Sequence, residues 1–233
     1  MKNWELFDDG LQSLDKTRTR QLVKISRSRN LSYSVHAPIC DLNLATLNPE
    51  LRPWVMSRME RSLRNAASLG AKSVVLHPGT HGALSWVRPG EDWRANRQSI
   101  ERLHRFGDRL GVEVTVENIS ANYAILGRVE DFLRLYHEWG DAPSMTLDIG
   151  HSHVKGQTEE YLRKLGRRIR HVHVNDNKGD FDTHLAVGSG TIRWRRVLRA
   201  LLETGFDGDL VIESVKAPFA SLERVRRMLG SLQ

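Results

Sequence analysis

Short apolar segments alternate along the chain with longer ones in which apolar residues recur every three or four positions, as expected of strands followed by amphipathic helices. The strand-like segments are Trp4–Phe7, Ser32–His36, Ser73–His77, Val112–Glu117, Ser144–Asp148, Ile169–Val174 and Asp209–Glu213. Between them, Asn48 can cap a helix with Pro49 at its first position, an apolar stripe through Val55, Met59, Leu63, Ala66 and Ala67, and a stop at Gly70. The same grammar recurs with Ile100, Leu103 and Leu110 before Gly111. Val129, Phe132, Leu133 and Tyr136 precede Gly140 in the same way, and Val197, Leu198, Leu201 and Leu202 precede Gly205. Leu222, Val225, Met228 and Leu229 mark a last helix. No linker or low-complexity stretch interrupts the alternation, which predicts one α/β domain over residues 1–233 with a parallel sheet.

Within the strands the two parities differ. One face reads Ser32/Ser34/His36, Ser73/Val75/His77, Glu113/Thr115/Glu117, Ser144/Thr146/Asp148, His171/His173 and Asp209/Val211/Glu213. The other reads Tyr33/Val35, Val74/Leu76, Val114/Val116, Met145/Leu147, Val172/Val174 and Leu210/Ile212. The apolar face must meet helices, so the polar one lines the opposite side of the sheet. A doubly wound sheet would bury that side under helices too, at a high cost for so many ionisable groups, whereas a closed barrel gives them a lumen. The predicted fold is a (β/α)8-type TIM barrel that lacks the first βα unit and retains about seven. Its open edges, at Trp4–Phe7 and Asp209–Glu213, are expected to be covered by a second copy in a homodimer.

Each polar face ends in a metal-ligating side chain at the C-terminal end of its strand, where barrel enzymes do their chemistry: His36, His77, Glu117, Asp148, His173 and Glu213. The sixth strand runs into a loop that adds Asp176, Asp182 and His184 before Gly188 and Gly190. Histidines and carboxylates gathered in this way suit a divalent cation. His171, one layer below His173, is expected to support a ligand by a hydrogen bond. His81 and His153 lie in mouth loops, where contact with a substrate is open to them and a solvated role is the default reading.

Composition narrows the reading only slightly. Hydrophobic residues make up 39% and charged residues 27%, and no apolar run is long enough for a membrane span, so a cytoplasmic protein without a membrane partner is expected. The one cysteine, Cys40, excludes an internal disulfide. A net charge of +7 allows attraction to a nucleic-acid backbone, although much of it is arginine on helical faces.

The ordered set VHAP, VVLHPGTH, VTVEN, TLDIGH, HVHVND, DTH and VIES resembles the xylose-isomerase-like TIM barrels and, among them, the endonuclease IV family. That resemblance implies up to three Zn²⁺ ions. His36, His77 and Glu117 would hold one; Glu117, Asp148, His173 and Glu213 a second; and His151, Asp182 and His184 a third. It implies a phosphodiester hydrolase that cuts abasic or damaged DNA, with Glu117 and Glu213 at the reaction centre. Arg18, Arg20, Trp86, Arg88 and Lys178, with Lys16 and Trp93, are candidate DNA contacts. The loop from Lys178 to Asp182 and the stretch after His151 are shorter than in that family, and Ile39 stands where it has an aromatic residue. The alternative is a sugar or sugar-phosphate isomerase or epimerase of the same superfamily. One Mn²⁺ or Mg²⁺ would then sit on Glu117, Asp148, His173 and Glu213, and the two glutamates would move a proton beside a carbonyl.

Overall fold

A computed structural model of the chain describes residues 2–140 and 143–232. Seven strands occur among them: β1 (Asn3–Phe7), β2 (Ser32–His36), β3 (Ser73–Leu76), β4 (Glu113–Glu117), β5 (Ser144–Asp148), β6 (Ile169–Val174) and β7 (Asp209–Ile212). Each is followed by helix: α1 (Lys16–Arg29), α2 (Leu51–Leu69), α3 (Leu84–Val87) with α4 (Glu91–Leu110), α5 (Val129–Glu138), α6 (Ile149–Val154) with α7 (Thr158–Leu165), α8 (Trp194–Glu203) and α9 (Pro218–Gly230). These are the seven βα units the sequence pattern predicts. Among the described residues no helix is long and apolar enough to cross a membrane.

The chain divides into two compact units. The first is Met1–Val116 with Tyr123–Ile125 and Trp139–Ser144; the second is Glu117–Asn122, Leu126–Glu138 and Met145–Gln233. In the first, β1 pairs with β2, β2 with β3 and β3 with β4, all parallel. Val35, Val74, Leu76, Val114 and Val116 form the apolar side of these strands and are at most 1% exposed. Helix α2 starts at Leu51, two residues later than the Pro49 start the sequence predicts; just ahead of it the Asn48 side chain accepts from the Glu50 and Leu51 amides at 2.9 and 3.4 Å. Gly70 ends it in the left-handed conformation. Just past β1, Asp8 is fully buried and accepts from both Nη atoms of Arg58 on α2, at 2.9 and 3.2 Å, and from the Leu14 amide.

In the second unit β5, β6 and β7 are parallel neighbours. Asp148 stands opposite His173, and His173 opposite Val211, so Asp148 and His173 lie level at the strands' C-terminal ends. Glu213 follows β7 directly, two residues beyond Val211 and therefore on the His173 face; its amide donates to the Val174 carbonyl at 3.0 Å. The polar face is as buried as the apolar one: Thr146, Asp148 and His173 are 0% exposed, like Leu147, Val172 and Val174.

Candidate metal centre

The second unit gathers two groups of ligating side chains. In the first group, ligand atoms of Glu117, Asp148 and His173 lie within 4.8 Å of one another, and all three residues are buried. His173 Nδ1 is 3.2 Å from Glu117 Oε1 and 3.3 Å from Glu213 Oε1, so two glutamates converge on one imidazole nitrogen. Two amides fix this group. Asn118 grips the backbone of Asp148 reciprocally, donating to its carbonyl at 3.1 Å and accepting from its amide at 2.8 Å. Asn175 donates to Asp148 Oδ2 at 3.0 Å. A Cβ at position 150 would collide with Asn175 Oδ1, so Gly150 is what allows that amide to approach. The other Asp148 oxygen accepts from the His151 amide at 2.6 Å and caps α6, which carries His151 one turn onward.

The second group is His151, Asp182 and His184, again with ligand atoms within 4.8 Å. His151 Nδ1 faces the Asn118 carbonyl at 2.8 Å and His184 Nδ1 the Glu213 carbonyl at 3.0 Å. A carbonyl can only accept, so each ring donates its Nδ1–H and turns Nε2 inward. Both Nε2 atoms then reach the same oxygen, Asp182 Oδ2, at 2.9 and 3.1 Å. Backbone carbonyls that fix the tautomer of a ligating histidine are the usual support of metal sites. His184 also occupies the left-handed region (φ 45°), a strained conformation for a residue with a Cβ, and its carbonyl is held by the Val215 amide at 3.0 Å.

Three acceptors converging on one point need a cation. The ionisation of the trio follows from its neighbours. Burial opposes charge on His151, but the carboxylates of Asp148, Asp182 and Glu117 outweigh it and hold its pKa well above the ordinary histidine value. His184 is pushed up to about 9, chiefly by its hydrogen bond to Asp182. Burial would raise Asp182, yet hydrogen bonds from both imidazoles hold it below the ordinary carboxylate range. In the first group burial raises the Asp148 pKa. Oxygen and imidazole donors in this arrangement fit a divalent cation in each group.

Other candidate residues are placed differently. His36 and His77 belong to the first unit, where their rings meet edge to face with centroids 4.9 Å apart. His171 lies beneath His173, buried, with ring centroids 5.2 Å apart. Asp176, a possible ligand by sequence, has its carboxylate engaged elsewhere. Its carboxylate is fully buried and accepts from the Asn177, Gly188 and Ile192 amides and from Trp194 Nε1, at 2.7 to 3.4 Å, tying down the loop that carries Asp182 and His184. Of the residues read as DNA contacts, Arg18 donates to the carbonyls of Leu11 and Ser13, Arg20 to that of Lys16, and Arg88 pairs with Glu91. Trp93 is buried at 8%, whereas Trp86 is 88% exposed and Lys16 and Lys178 face solvent. Asn118 and Asn175 stand inside the motifs VTVEN and HVHVND, but a neutral amide carries no ligand signal in a sequence.

Seven parallel βα units with histidine and carboxylate groups at the strand ends define a TIM-barrel enzyme class. The chain belongs to the xylose isomerase-like TIM barrel family, whose pattern it matches over residues 2–232. It is 30% identical over 216 residues to the Methanocaldococcus jannaschii protein MJ1311, covering 91% of this chain and 74% of that one. It is 26% identical over 133 residues to fructoselysine 3-epimerase of Escherichia coli O157:H7, covering 54% of this chain and 47% of that protein. A D-tagatose 3-epimerase-like protein of known structure superposes with a TM-score of 0.92 at 26% identity, covering 99% of this chain and 89% of the other.

Proposed function

We propose that this chain is a divalent-metal-dependent sugar epimerase or isomerase acting on a ketose, and that Glu117 and Glu213 are its acid–base pair. The observation that carries the reading is the convergence of these two carboxylates on His173 Nδ1 beside Asp148. Likeness to the D-tagatose 3-epimerase-like structure and to fructoselysine 3-epimerase supports it. Glu117, Asp148, His173 and Glu213 would hold the cation, Mn²⁺ or Mg²⁺. A cation held there would supply Lewis acidity, polarising a ketone oxygen so that the neighbouring C–H becomes acidic. One glutamate takes the proton from that carbon, and the other returns a proton to the opposite face, inverting the centre with no net change in atoms. Asn118 and Asn175 keep Asp148 in place while the glutamates exchange roles.

A second reading, a zinc-dependent phosphodiester hydrolase acting on abasic DNA, is favoured by the His151–Asp182–His184 trio, which an isomerase does not require. One experiment separates the two. Metal-loaded protein is incubated with D-tagatose or D-fructose in D₂O, and deuterium entry at C3 is followed by NMR. Metal-dependent exchange that disappears in Glu117→Gln and in Glu213→Gln supports the epimerase. No exchange, together with chelator-sensitive incision of an abasic duplex and about three zinc ions per chain, overturns it in favour of the hydrolase.

A further inference from the structure

The second unit also carries a cleft that neither ligand group uses. It lies where the start of α8 meets α9 and has a volume of about 450 Å³. Arg193, Arg195, Arg196 and Arg224 line it, and among the described residues no carboxylate does. Arg196 is paired with Glu159 at 2.7 Å, while Arg195 donates to the neutral Ser231 hydroxyl at 3.0 Å. The side chains of Arg193 and Arg224 have no polar partner among the described residues. Glu223, the one carboxylate of α9, pairs with Arg226 at 3.1 Å instead. Three exposed guanidinium groups therefore face one cleft without a counter-charge.

The fold does not need these charges where they stand. Arg195 and Arg196 occupy the first turn of α8, which has no acidic residue, and cations at a helix's positive end lower its stability. Arg224 fits against the loop because position 188 has no side chain: a Cβ there would collide with its guanidinium, and Gly188 takes φ 83°. The wall itself is fixed. Buried Asp176 accepts from the Gly188 and Ile192 amides and from Trp194 Nε1, at 2.7 to 3.4 Å, so a ligand would meet a surface that is already ordered. Trp194, 4% exposed, and half-buried Met228 give that wall an apolar part. Guanidinium forks match phosphate oxygens two at a time. The volume is far larger than a phosphate ion and falls among small-molecule sites, which span roughly 300–1,000 Å³.

We propose that this cleft binds a small phosphorylated molecule, with its phosphate held by Arg193, Arg195 and Arg224 and its apolar body against Trp194 and Met228. Neither cation group takes part, so the site stands whether or not the sugar reading does. To test it, the full metal-loaded chain carrying ¹⁵N-labelled tryptophan is titrated with AMP, with fructose 6-phosphate and with inorganic phosphate. The Trp194 indole N–H signal, assigned with Trp194→Phe, is followed by NMR. It should move saturably with AMP or fructose 6-phosphate, at lower concentrations than with inorganic phosphate. Arg193→Gln combined with Arg224→Gln should raise the half-saturating concentration roughly tenfold or more, with metal content and circular dichroism unchanged. Lys24→Gln combined with Arg199→Gln removes the same charge from exposed positions outside the cleft, and should change it by about twofold at most. Three results would overturn the proposal. One is a Trp194 signal that no probe moves saturably. Another is an equal loss in the two double variants, which would mean attraction by net charge alone. The third is inorganic phosphate acting as well as the organic probes, which would leave a free-anion site.

Discussion

Metal binding at the His151–Asp182–His184 trio should strengthen steeply with pH, because each imidazole must lose a proton before its Nε2 can coordinate. His184, with a pKa raised to about 9, is protonated at pH 7. That proton weakens the apparent affinity at pH 7 by about a hundredfold relative to pH above 9, or ~2.7 kcal/mol. The side chain is 27% exposed, so solvent screening trims the figure. His151, shifted in the same direction, adds to the slope. In the metal-free protein the same shifts affect stability. The raised pKa of His184 stabilises the fold fully below its ordinary value of 6.5 and loses that effect as pH climbs through about 9. The lowered pKa of Asp182 contributes above its ordinary value of 3.8 and is lost as pH falls below it. The trio therefore stabilises the metal-free fold most between these ordinary values, and metal should rescue the loss at high pH. Chelator-buffered zinc titrations at pH 6, 7, 8 and 9 measure the slope, and calorimetry in buffers of different ionisation enthalpy counts the protons released. An affinity that is flat from pH 7 to 9, with no proton release, would refute the reasoning.

Three further outcomes follow from buried contacts. Gly150→Ala drives a methyl into Asn175 and should cost about 1–3 kcal/mol in urea unfolding, with weaker metal binding at Asp148; unchanged stability and affinity would show that Asn175 moves freely. Asp176→Ala strips the partner from three amides and the Trp194 indole. It should lower stability by roughly 3–5 kcal/mol and remove metal from the trio before the Glu117 group, measured by unfolding and by metal analysis. Arg58→Ala leaves the buried Asp8 carboxyl without its guanidinium partner, and should cost about 3–5 kcal/mol by the same unfolding assay; a loss under 1 kcal/mol would mean that water reaches Asp8.

The strands were legible because their two faces differ in kind. All seven lie where alternation places them, and of the residues assigned to them Val112, His77 and Glu213 fall one residue outside their strands. Helix α1 did not register as an apolar stripe: Thr19 is its one buried residue, and its arginines invited a phosphate-binding reading that the Arg18 contacts do not need. The ligand residues could be read because histidines and carboxylates at strand ends are costly without a cation. Asp176 looked the same in sequence, and only the four donors around it reveal a different use for its charge. Asn118 and Asn175 were out of reach, since their roles come from a partner distant in sequence.

Glu213 touches both groups of the second unit: its carboxylate meets His173, and its carbonyl holds His184. A cation at either group would act on the residue on which the other is built. The two binding equilibria would then be thermodynamically linked, each cation changing the affinity of its neighbour by the same factor as the reverse.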